Sequence, residues 1–203
     1  MRSDAVPFDA VVLAGGRSSR LGGVPKAGLV LEGSTLLERT CAALERARTL
    51  MVVGPEPDAE AVGRMRPHPV FVREQPAFAG PAAGLVAGFR ANLGPRSPWC
   101  VVVACDMPRV GELLQVLLAE AARDDTASLV AFDDGRDQPL AALYRSGDLA
   151  DAIAAVLALG PADNLSVRRL LASVRTRPVP VPPGTTHDVD TWADARALGV
   201  DVP

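Results

Sequence analysis

Short apolar runs alternate along the chain with segments in which apolar residues recur at helical spacing. The run over residues 8–14, FDAVVLA, is rich in β-branched residues and ends at a glycine, and the run over residues 99–106, WCVVVACD, is the strongest in the chain. Runs that are apolar on both faces are typical of strands buried in a parallel sheet. The pattern therefore predicts buried strands at these two places. Further strands are predicted over residues 49–54, 69–73, 127–132 and 138–145.

Helices are predicted between these strands. Thr35 and Glu38 have the spacing of a capping box, and Leu37 and Cys41 then recur on one helical face. A second helix is expected to begin near Pro81, because proline suits the first turn of a helix. Other helical segments are predicted over residues 111–124, 148–159, 166–172 and 192–199, and residues 176–182, TRPVPVP, are expected to be extended.

The alternation of strands and helices predicts an α/β fold. Several strands are apolar on both faces, which indicates a mostly parallel sheet with helices on both sides, a three-layer arrangement. Residues 1–203 are expected to form a single domain, with residues 1–7 as a flexible N-terminal tail. In such a sheet the loops at the carboxyl ends of the strands are where ligands bind.

Composition narrows the classes of function. The 203 residues are 48% hydrophobic and 22% charged, with a formal net charge of −3 and a pI near 5.4. An acidic chain of this kind argues against nucleic acid or an anionic membrane as partner. No apolar run approaches the roughly 18 residues that a membrane span requires, and the N-terminus lacks the apolar region of a secretory signal. A cytoplasmic location is therefore expected.

The cysteines and histidines do not indicate a metal site. Cys41, Cys100 and Cys105 form no C-x-x-C pair, and neither His68 nor His187 lies at metal-ligand spacing from a cysteine. Cys100 and Cys105 flank a run of valines, and buried small hydrophobic residues are the favoured interpretation of these two.

The loop after the first predicted strand concentrates positive charge on a segment that offers little side-chain packing of its own. Gly15 and Gly16 allow backbone amides to approach an anion, while Arg17, Arg20 and Lys26 supply cations. Neither the P-loop nor the dinucleotide-binding pattern is present. The arrangement suits a polyphosphate, and the alternative is a glycine-rich surface turn with solvated cations.

Carboxylates follow two other predicted elements. Asp106 comes directly after the strongest strand, where it would hold Mg²⁺ against phosphate oxygens or, alternatively, cap the strand end. Asp188 and Asp190 would lie on one side of an extended segment and complete a metal site. The competing interpretation is that Asp190 or Thr191 caps the last helix, with Asp194 supporting its first turn.

Five motifs in order resemble one known family. The stretch LAGGRSSRLGGVPK is similar to the signature L-A-G-G-x-S-x-R-M-G-x-D-K of molybdenum cofactor guanylyltransferases, within the nucleotidyltransferase superfamily. GPAAGL, CDMP, QPLAALY and DVDTWAD resemble the family's later motifs, and together the matches run from residue 13 to about residue 195. The resemblance implies a Rossmann-like nucleotidyltransferase fold.

The resemblance also implies an activity: Mg²⁺-dependent transfer of a nucleoside monophosphate, most simply GMP from GTP, to the terminal phosphate of molybdopterin, with release of pyrophosphate. By position in the motifs, Lys26, Arg20 and Asp106 would be the catalytic residues, and Asp106 would bind Mg²⁺ and the nucleotide. Glu74 falls near an aspartate with which the family contacts guanosine. The nucleotide would be lined by Leu13, Ala14, Gly15 and Gly16.

The chain departs from the family pattern at several positions. Pro25 replaces an acidic residue, and Gly54 stands where some members have an asparagine that contacts the nucleotide. Asp188 and Asp190 replace two asparagines, which would strengthen a metal site but repel phosphate, and Trp192 replaces a proline. Three alternatives follow: a CTP-dependent cytidylyltransferase, a sugar-1-phosphate nucleotidyltransferase, and a non-catalytic module that binds nucleotide or cofactor.

Two features later in the chain remain open. Arg168 and Arg169 would meet an anionic acceptor or form a solvated helix face, and Gln138 would face the pterin or cap a sheet edge.

Overall fold

The computed structural model describes residues 6–16 and 18–202, so Arg17 and residues 1–5 of the predicted tail lie outside the described residues. Nine strands are present in this part of the chain, and seven of them form one sheet. Their bounds are β1 Phe8–Leu13, β2 Val30–Leu31, β3 Ser34–Thr35, β4 Leu50–Val53, β5 Val70–Val72, β6 Trp99–Ala104, β7 Ser128–Asp133, β8 Arg136–Arg145 and β9 Thr176–Pro180.

The sheet has the strand order β5-β4-β1-β6-β8-β7-β9, while β2 and β3 form a separate hairpin. The pairs β1–β4, β1–β6, β4–β5 and β7–β9 are parallel, and β8 runs antiparallel to both of its neighbours. The prediction of a mostly parallel α/β sheet is confirmed. The extended segment TRPVPVP contains β9, which is an edge strand.

Helices cover both faces of this sheet. Their bounds are α1 Leu36–Ala43, α2 Ala59–Arg64, α3 Pro81–Ala91, α4 Val110–Arg123, α5 Ser146–Leu159, α6 Val167–Leu170 and α7 Trp192–Ala197. Alternate residues of β1 separate the two cores: Val12 packs in the cluster that contains α1 and α4, whereas Val11 packs in the cluster that contains α3, α5 and α6. The predicted three layers are therefore confirmed.

Capping residues in the sequence predicted where two of the helices begin. Thr35 caps α1 through the capping box with Glu38, and Pro81 is the first residue of α3, as predicted. The hairpin β2–β3 and α2 were not predicted. In addition, α5 starts two residues earlier than residue 148, and α6 is shorter than residues 166–172.

Cys100 and Cys105 are free and buried, which confirms the expectation, and Cys41 is free and buried as well. Among residues 6–16 and 18–202, no helix has the length and apolar character needed to cross a membrane.

The packing of α3 on the sheet leaves no room for a side chain at Gly88. A Cβ there would lie 2.6 Å from Cγ1 of Val11 and 2.7 Å from Cγ2 of Val53. Overpacking of a core costs about 1–3 kcal/mol, which exceeds the gain of up to about 1 kcal/mol from replacing a helical glycine by alanine. We expect Gly88→Ala to lower the free energy of unfolding in urea by about 1–2 kcal/mol.

Gly63→Ala in α2 is the matched control, since nothing lies within 4 Å of a Cβ at that position. It should raise the free energy of unfolding by up to about 1 kcal/mol. Equal changes in the two variants would contradict the close packing of α3.

Candidate functional site

The sheet reverses its strand order between β1 and β6. The chain proceeds from β1 to β4 and β5 on one side, and then crosses to β6 on the other side. Ligands of open α/β sheets bind outside the carboxyl ends of the strands at this point. Here Leu13 pairs with Ala104, and the Cys105 amide donates to the Leu13 carbonyl oxygen at 3.0 Å. The cationic loop after β1 and Asp106 after β6 consequently border one crevice.

The loop after β1 is anchored by apolar side chains, although the sequence predicted little packing there. Leu21, in a 3₁₀ turn over Ser19–Leu21, is only 1% exposed and packs in a cluster with Val189. Ala27, in a second 3₁₀ turn over Lys26–Gly28, is buried in the main core. These contacts fix the backbone on which the cations are carried.

Lys26 is the centre of the charged cluster. Its Nζ donates to Oδ2 of Asp106 at 2.8 Å and to Oδ1 of Asp190 at 2.5 Å. NH1 of Arg20 donates to Oδ2 of the same Asp190 at 2.9 Å. Burial alone would lower the pKa of Lys26, but the two carboxylates raise it above its ordinary value, so the amine is protonated at neutral pH.

Asp106, Asp188 and Asp190 form a group of three carboxylates. Each offers one oxygen, and these oxygens lie within 4.8 Å of one another. Partial burial, together with the negative charges of Asp106 and Asp190, raises the pKa of Asp188, although much of its surface is accessible to solvent. Carboxylate oxygens are the ligands that Mg²⁺ and Ca²⁺ prefer, so the donor set fits a hard divalent cation.

The cap of α7 does not involve the side chain of Asp190. Thr191 Oγ1 accepts from the Asp194 amide at 3.2 Å, and an Asp194 carboxylate oxygen accepts from the Thr191 amide at 2.7 Å. Thr191 is therefore the N-cap, with Asp194 completing a capping box. The capping interpretation is confirmed for Thr191 and Asp194, whereas the Asp190 carboxylate pairs with Lys26 and Arg20.

A cavity of about 550 Å³ opens beside the cluster, within the range typical of ligand sites. Lys26 and Asp106 are part of its wall. The remaining nucleotide-binding residues predicted from the sequence also line it: Leu13, Ala14, Gly15, Gly16 and Glu74.

Glu74 lies in the wall of this cavity and holds the backbone of the segment that follows it. One of its oxygens, Oε1, accepts from the Phe78 amide at 2.9 Å. Phe78 itself lines the cavity and is 52% exposed.

Gly54 has a steric explanation in this chain. A Cβ at this position would lie 2.8 Å from the carbonyl carbon of Ala14 and 3.1 Å from the amide nitrogen of Gly15. The end of β4 therefore packs directly against the backbone of the loop after β1. An asparagine here would require that loop to move.

A second cavity of about 520 Å³ lies on the other side of the charged cluster. Both cavities share Lys26 and Asp106 in their walls. Arg136, Gln138 and Arg168 line the second cavity, along with the three clustered aspartates. Of the two adjacent arginines noted in the sequence, Arg168 therefore borders a cavity, and its NH2 donates weakly to the Asp137 carbonyl oxygen at 3.5 Å.

A histidine–carboxylate pair that the sequence did not reveal also borders this second cavity. Nε2 of His187 lies 2.8 Å from Oδ2 of Asp134, and the two residues are 53 positions apart in the chain. Such a pair has no local sequence signal, because its spacing depends on how β9 and the segment after it return to the turn between β7 and β8.

Comparison with known sequences gives relatives that are named molybdenum cofactor guanylyltransferase. The molybdenum cofactor guanylyltransferase of Vibrio vulnificus is 33% identical over 137 residues, which cover 66% of this chain and 66% of that protein. The probable molybdenum cofactor guanylyltransferase of Mycobacterium ulcerans is 34% identical over an alignment of 206 positions, gaps included. The alignment covers 90% of this chain and 97% of that protein. The chain thus spans just under two thirds of the first relative's length and nearly all of the second's.

The structural comparison identifies solved structures of the same fold. Molybdopterin-guanine dinucleotide biosynthesis protein A from Archaeoglobus fulgidus has a TM-score of 0.66 and 23% identity, covering 95% of this chain and 97% of that one. At that identity the likeness shows a common fold. The family described as MobA-like NTP transferase domain matches residues 10–178, which is most of the chain. The resemblance seen in the motifs is confirmed, and this chain belongs to the MobA-like NTP transferase domain family.

Proposed function

We propose that the protein transfers GMP from GTP to the terminal phosphate of molybdopterin, with Mg²⁺, and releases pyrophosphate. The observation that carries the proposal is the position of Lys26 and Asp106 in the shared wall of two cavities. A transfer reaction needs two substrate sites that meet at the reacting atoms. The proposal also rests on relatives named molybdenum cofactor guanylyltransferase.

We place GTP in the first cavity. Gly15 and Gly16 line the same cavity as Lys26, and their amides suit the triphosphate, because glycine backbone approaches an anion without hindrance. Glu74 lies in the wall of the same cavity and is the carboxylate that we assign to the base. A carboxylate can accept two hydrogen bonds from the amide and amine edge of guanine.

Mg²⁺ would be held by Asp106, with Asp188 and Asp190 completing the site. When bound, the ion supplies positive charge that neutralises the phosphate oxygens and holds their geometry. The fit rests on three carboxylate oxygens within 4.8 Å of one another.

The protein contributes charge and position to the reaction. An oxygen of the acceptor phosphate forms a bond to the α-phosphorus of GTP while the bond from that phosphorus to pyrophosphate breaks. Lys26 and Arg20 would stabilise the negative charge that develops on the phosphate oxygens. The nucleophile is already an anion, so the step requires no general base.

We place the acceptor in the second cavity. Arg136 and Arg168 give this cavity cationic side chains for an anionic acceptor, and Gln138 offers both a donor and an acceptor to a pterin ring. The acceptor phosphate would then lie at the end that borders Lys26.

Calorimetric titration with GTP and CTP, each with and without Mg²⁺, tests the nucleotide half of the proposal. We expect GTP to bind more tightly than CTP and more tightly with Mg²⁺ than without it. Asp106→Asn should remove the gain in GTP affinity that Mg²⁺ gives. Incubation of labelled GTP with molybdopterin should then yield labelled dinucleotide and pyrophosphate in equal amounts.

The other outcomes separate the alternatives. Tighter binding of CTP would identify a cytidylyltransferase. Transfer to a sugar 1-phosphate would identify a sugar-1-phosphate nucleotidyltransferase. Nucleotide binding without transfer to either acceptor would leave a non-catalytic binding module.

Lys26→Ala should weaken GTP binding by about 1.5–3 kcal/mol, because a hydrogen bond between a cation and a charged partner is worth about that much. Guanosine lacks phosphate and should bind the variant as it binds the native protein. Arg123→Ala is a suitable control, since Arg123 is an exposed cation paired with Glu120 on α4. An equal loss for GTP and guanosine would remove Lys26 from the phosphate site.

Gly54→Ala should raise the dissociation constant of GTP about tenfold, because its methyl group would displace the loop at Ala14 and overpacking costs about 1–3 kcal/mol. Gly28→Ala is the matched control in the same region, since nothing lies within 4 Å of a Cβ there. Unchanged GTP affinity in Gly54→Ala would show that the Ala14 backbone does not set the phosphate site.

A further inference from the structure

The segment over residues 184–190, which we call the strap, carries two of the three clustered carboxylates. It crosses the carboxyl ends of β7 and β6 and places Asp188 and Asp190 beside Asp106. One backbone contact fixes the end of the strap that includes residue 190: the Val189 amide donates to the Asp106 carbonyl oxygen at 3.0 Å, and Val189 is fully buried. A different contact holds the end of the strap that begins at residue 184.

That anchor is Asp133, the last residue of β7. Its side chain is 5% exposed, and its Oδ2 accepts from the Gly184 amide at 3.0 Å, the Thr186 amide at 3.3 Å and the Thr186 hydroxyl at 2.9 Å. Oδ1 accepts from the Asp134 amide at 3.1 Å. No cationic side chain forms an ion pair with it within the described residues. The charge of Asp133 is therefore balanced mainly by donors from the strap, with a smaller electrostatic contribution from Arg109.

The hydrogen bonds of Asp133 favour its ionised form. Burial alone would raise the pKa of Asp133, but the bonds from Thr186, Gly184 and Asp134 lower it below its ordinary value. Both carboxylate oxygens of Asp133 accept hydrogen bonds. Asparagine has only one such oxygen, so its NH₂ group would face donors in place of the second oxygen. The strap therefore requires a carboxylate at this position and not merely a side chain of that size.

We propose that Asp133 is a positioning residue for the metal-binding carboxylates, through its hold on the strap. The inference rests on the proposed function of the carboxylate cluster. Thr186, which makes two of the bonds to Asp133, is two residues from Asp188 and four from Asp190. Displacement of Thr186 moves both carboxylates away from Asp106 and Lys26. Asp133 itself does not line either cavity and so acts through the strap.

The His187–Asp134 pair is a weaker restraint on the same segment. Both side chains are about half exposed, with 52% and 53% of their surface accessible. Exposed ion pairs contribute about 0–1 kcal/mol, because water screens them. The buried carboxylate of Asp133 is therefore the stronger of the two restraints on residues 184–187 of the strap.

Asp133→Asn tests the inference, and Asp9→Asn is its matched control. Asp9 is 6% exposed and accepts from the Ser97 amide at 2.6 Å and the Thr49 hydroxyl at 2.8 Å, but it lies in β1 near the opposite end of the sheet. The first readout is Mn²⁺ affinity without nucleotide, measured by electron paramagnetic resonance of free Mn²⁺. We expect Asp133→Asn to raise the Mn²⁺ dissociation constant at least tenfold and Asp9→Asn to change it less than twofold.

A second readout follows the strap without any metal. Lys26 is the only lysine in the chain, so protein labelled with ¹³Cε-lysine gives a single lysine signal that reports its carboxylate partners. In Asp133→Asn this signal should move toward that of a solvated lysine, while in Asp9→Asn it should stay in place. GTP binding in the absence of metal should stay within twofold of native in Asp9→Asn and should not weaken in Asp133→Asn, because displaced carboxylates compete less for Lys26; retained binding shows that the loop after β1 is intact.

A milder variant covers the case in which Asp133→Asn fails to fold. Thr186→Val removes only the hydroxyl bond to Asp133 and should weaken Mn²⁺ binding about threefold, in the same direction. Native Mn²⁺ affinity and an unmoved lysine signal in both variants would overturn the inference. If native protein and Asp106→Asn bind Mn²⁺ equally, the proposed metal site fails instead, and the lysine signal alone then decides whether Asp133 positions the strap.

Discussion

The ammonium group of Lys26, shared between Asp106 and Asp190, is the interaction on which the site depends. The chain has 20 arginines but this single lysine, and the difference in shape explains the choice. An ammonium is a compact point charge that fits between two carboxylates, whereas a guanidinium is a wide planar fork. The pairing of Leu13 with Ala104 brings the two loops close enough for this contact. Sheet register, more than loop sequence, thus sets the geometry of the charges.

The balance of charge in the cluster couples metal to nucleotide. Three carboxylates face two cations, Lys26 and Arg20, so these five side chains together carry one excess negative charge. Such a cluster attracts a divalent cation and repels a free triphosphate. A cation that takes the carboxylate oxygens leaves Lys26 and Arg20 available for phosphate. Metal and nucleotide should therefore each strengthen the binding of the other, as linkage between two sites requires.

The sequence predicted those features that local chemistry determines. Apolar runs located the strands of the main sheet, Thr35 and Pro81 located helix starts, and glycines with cations marked the loop after β1. It missed α2, whose residues are all partly or fully exposed and so give no apolar stripe, and the hairpin with two residues in each strand. The contact of Asp133 with the strap was also missed, because it joins residues about 50 positions apart and depends on where β7 and β9 end in the sheet.

The departures from the family motifs form a consistent set once their contacts are known. Pro25 holds extended backbone directly before the turn that presents Lys26, and Gly54 allows β4 to pack against the loop backbone. The added negative charges at Asp188 and Asp190 would oppose phosphate if they were unbalanced. Asp190, however, is paired with both Lys26 and Arg20, so one substitution is compensated within the cluster. Asp188 forms no such pair within the described residues, so a divalent cation held by the three carboxylates would supply the positive charge that it lacks.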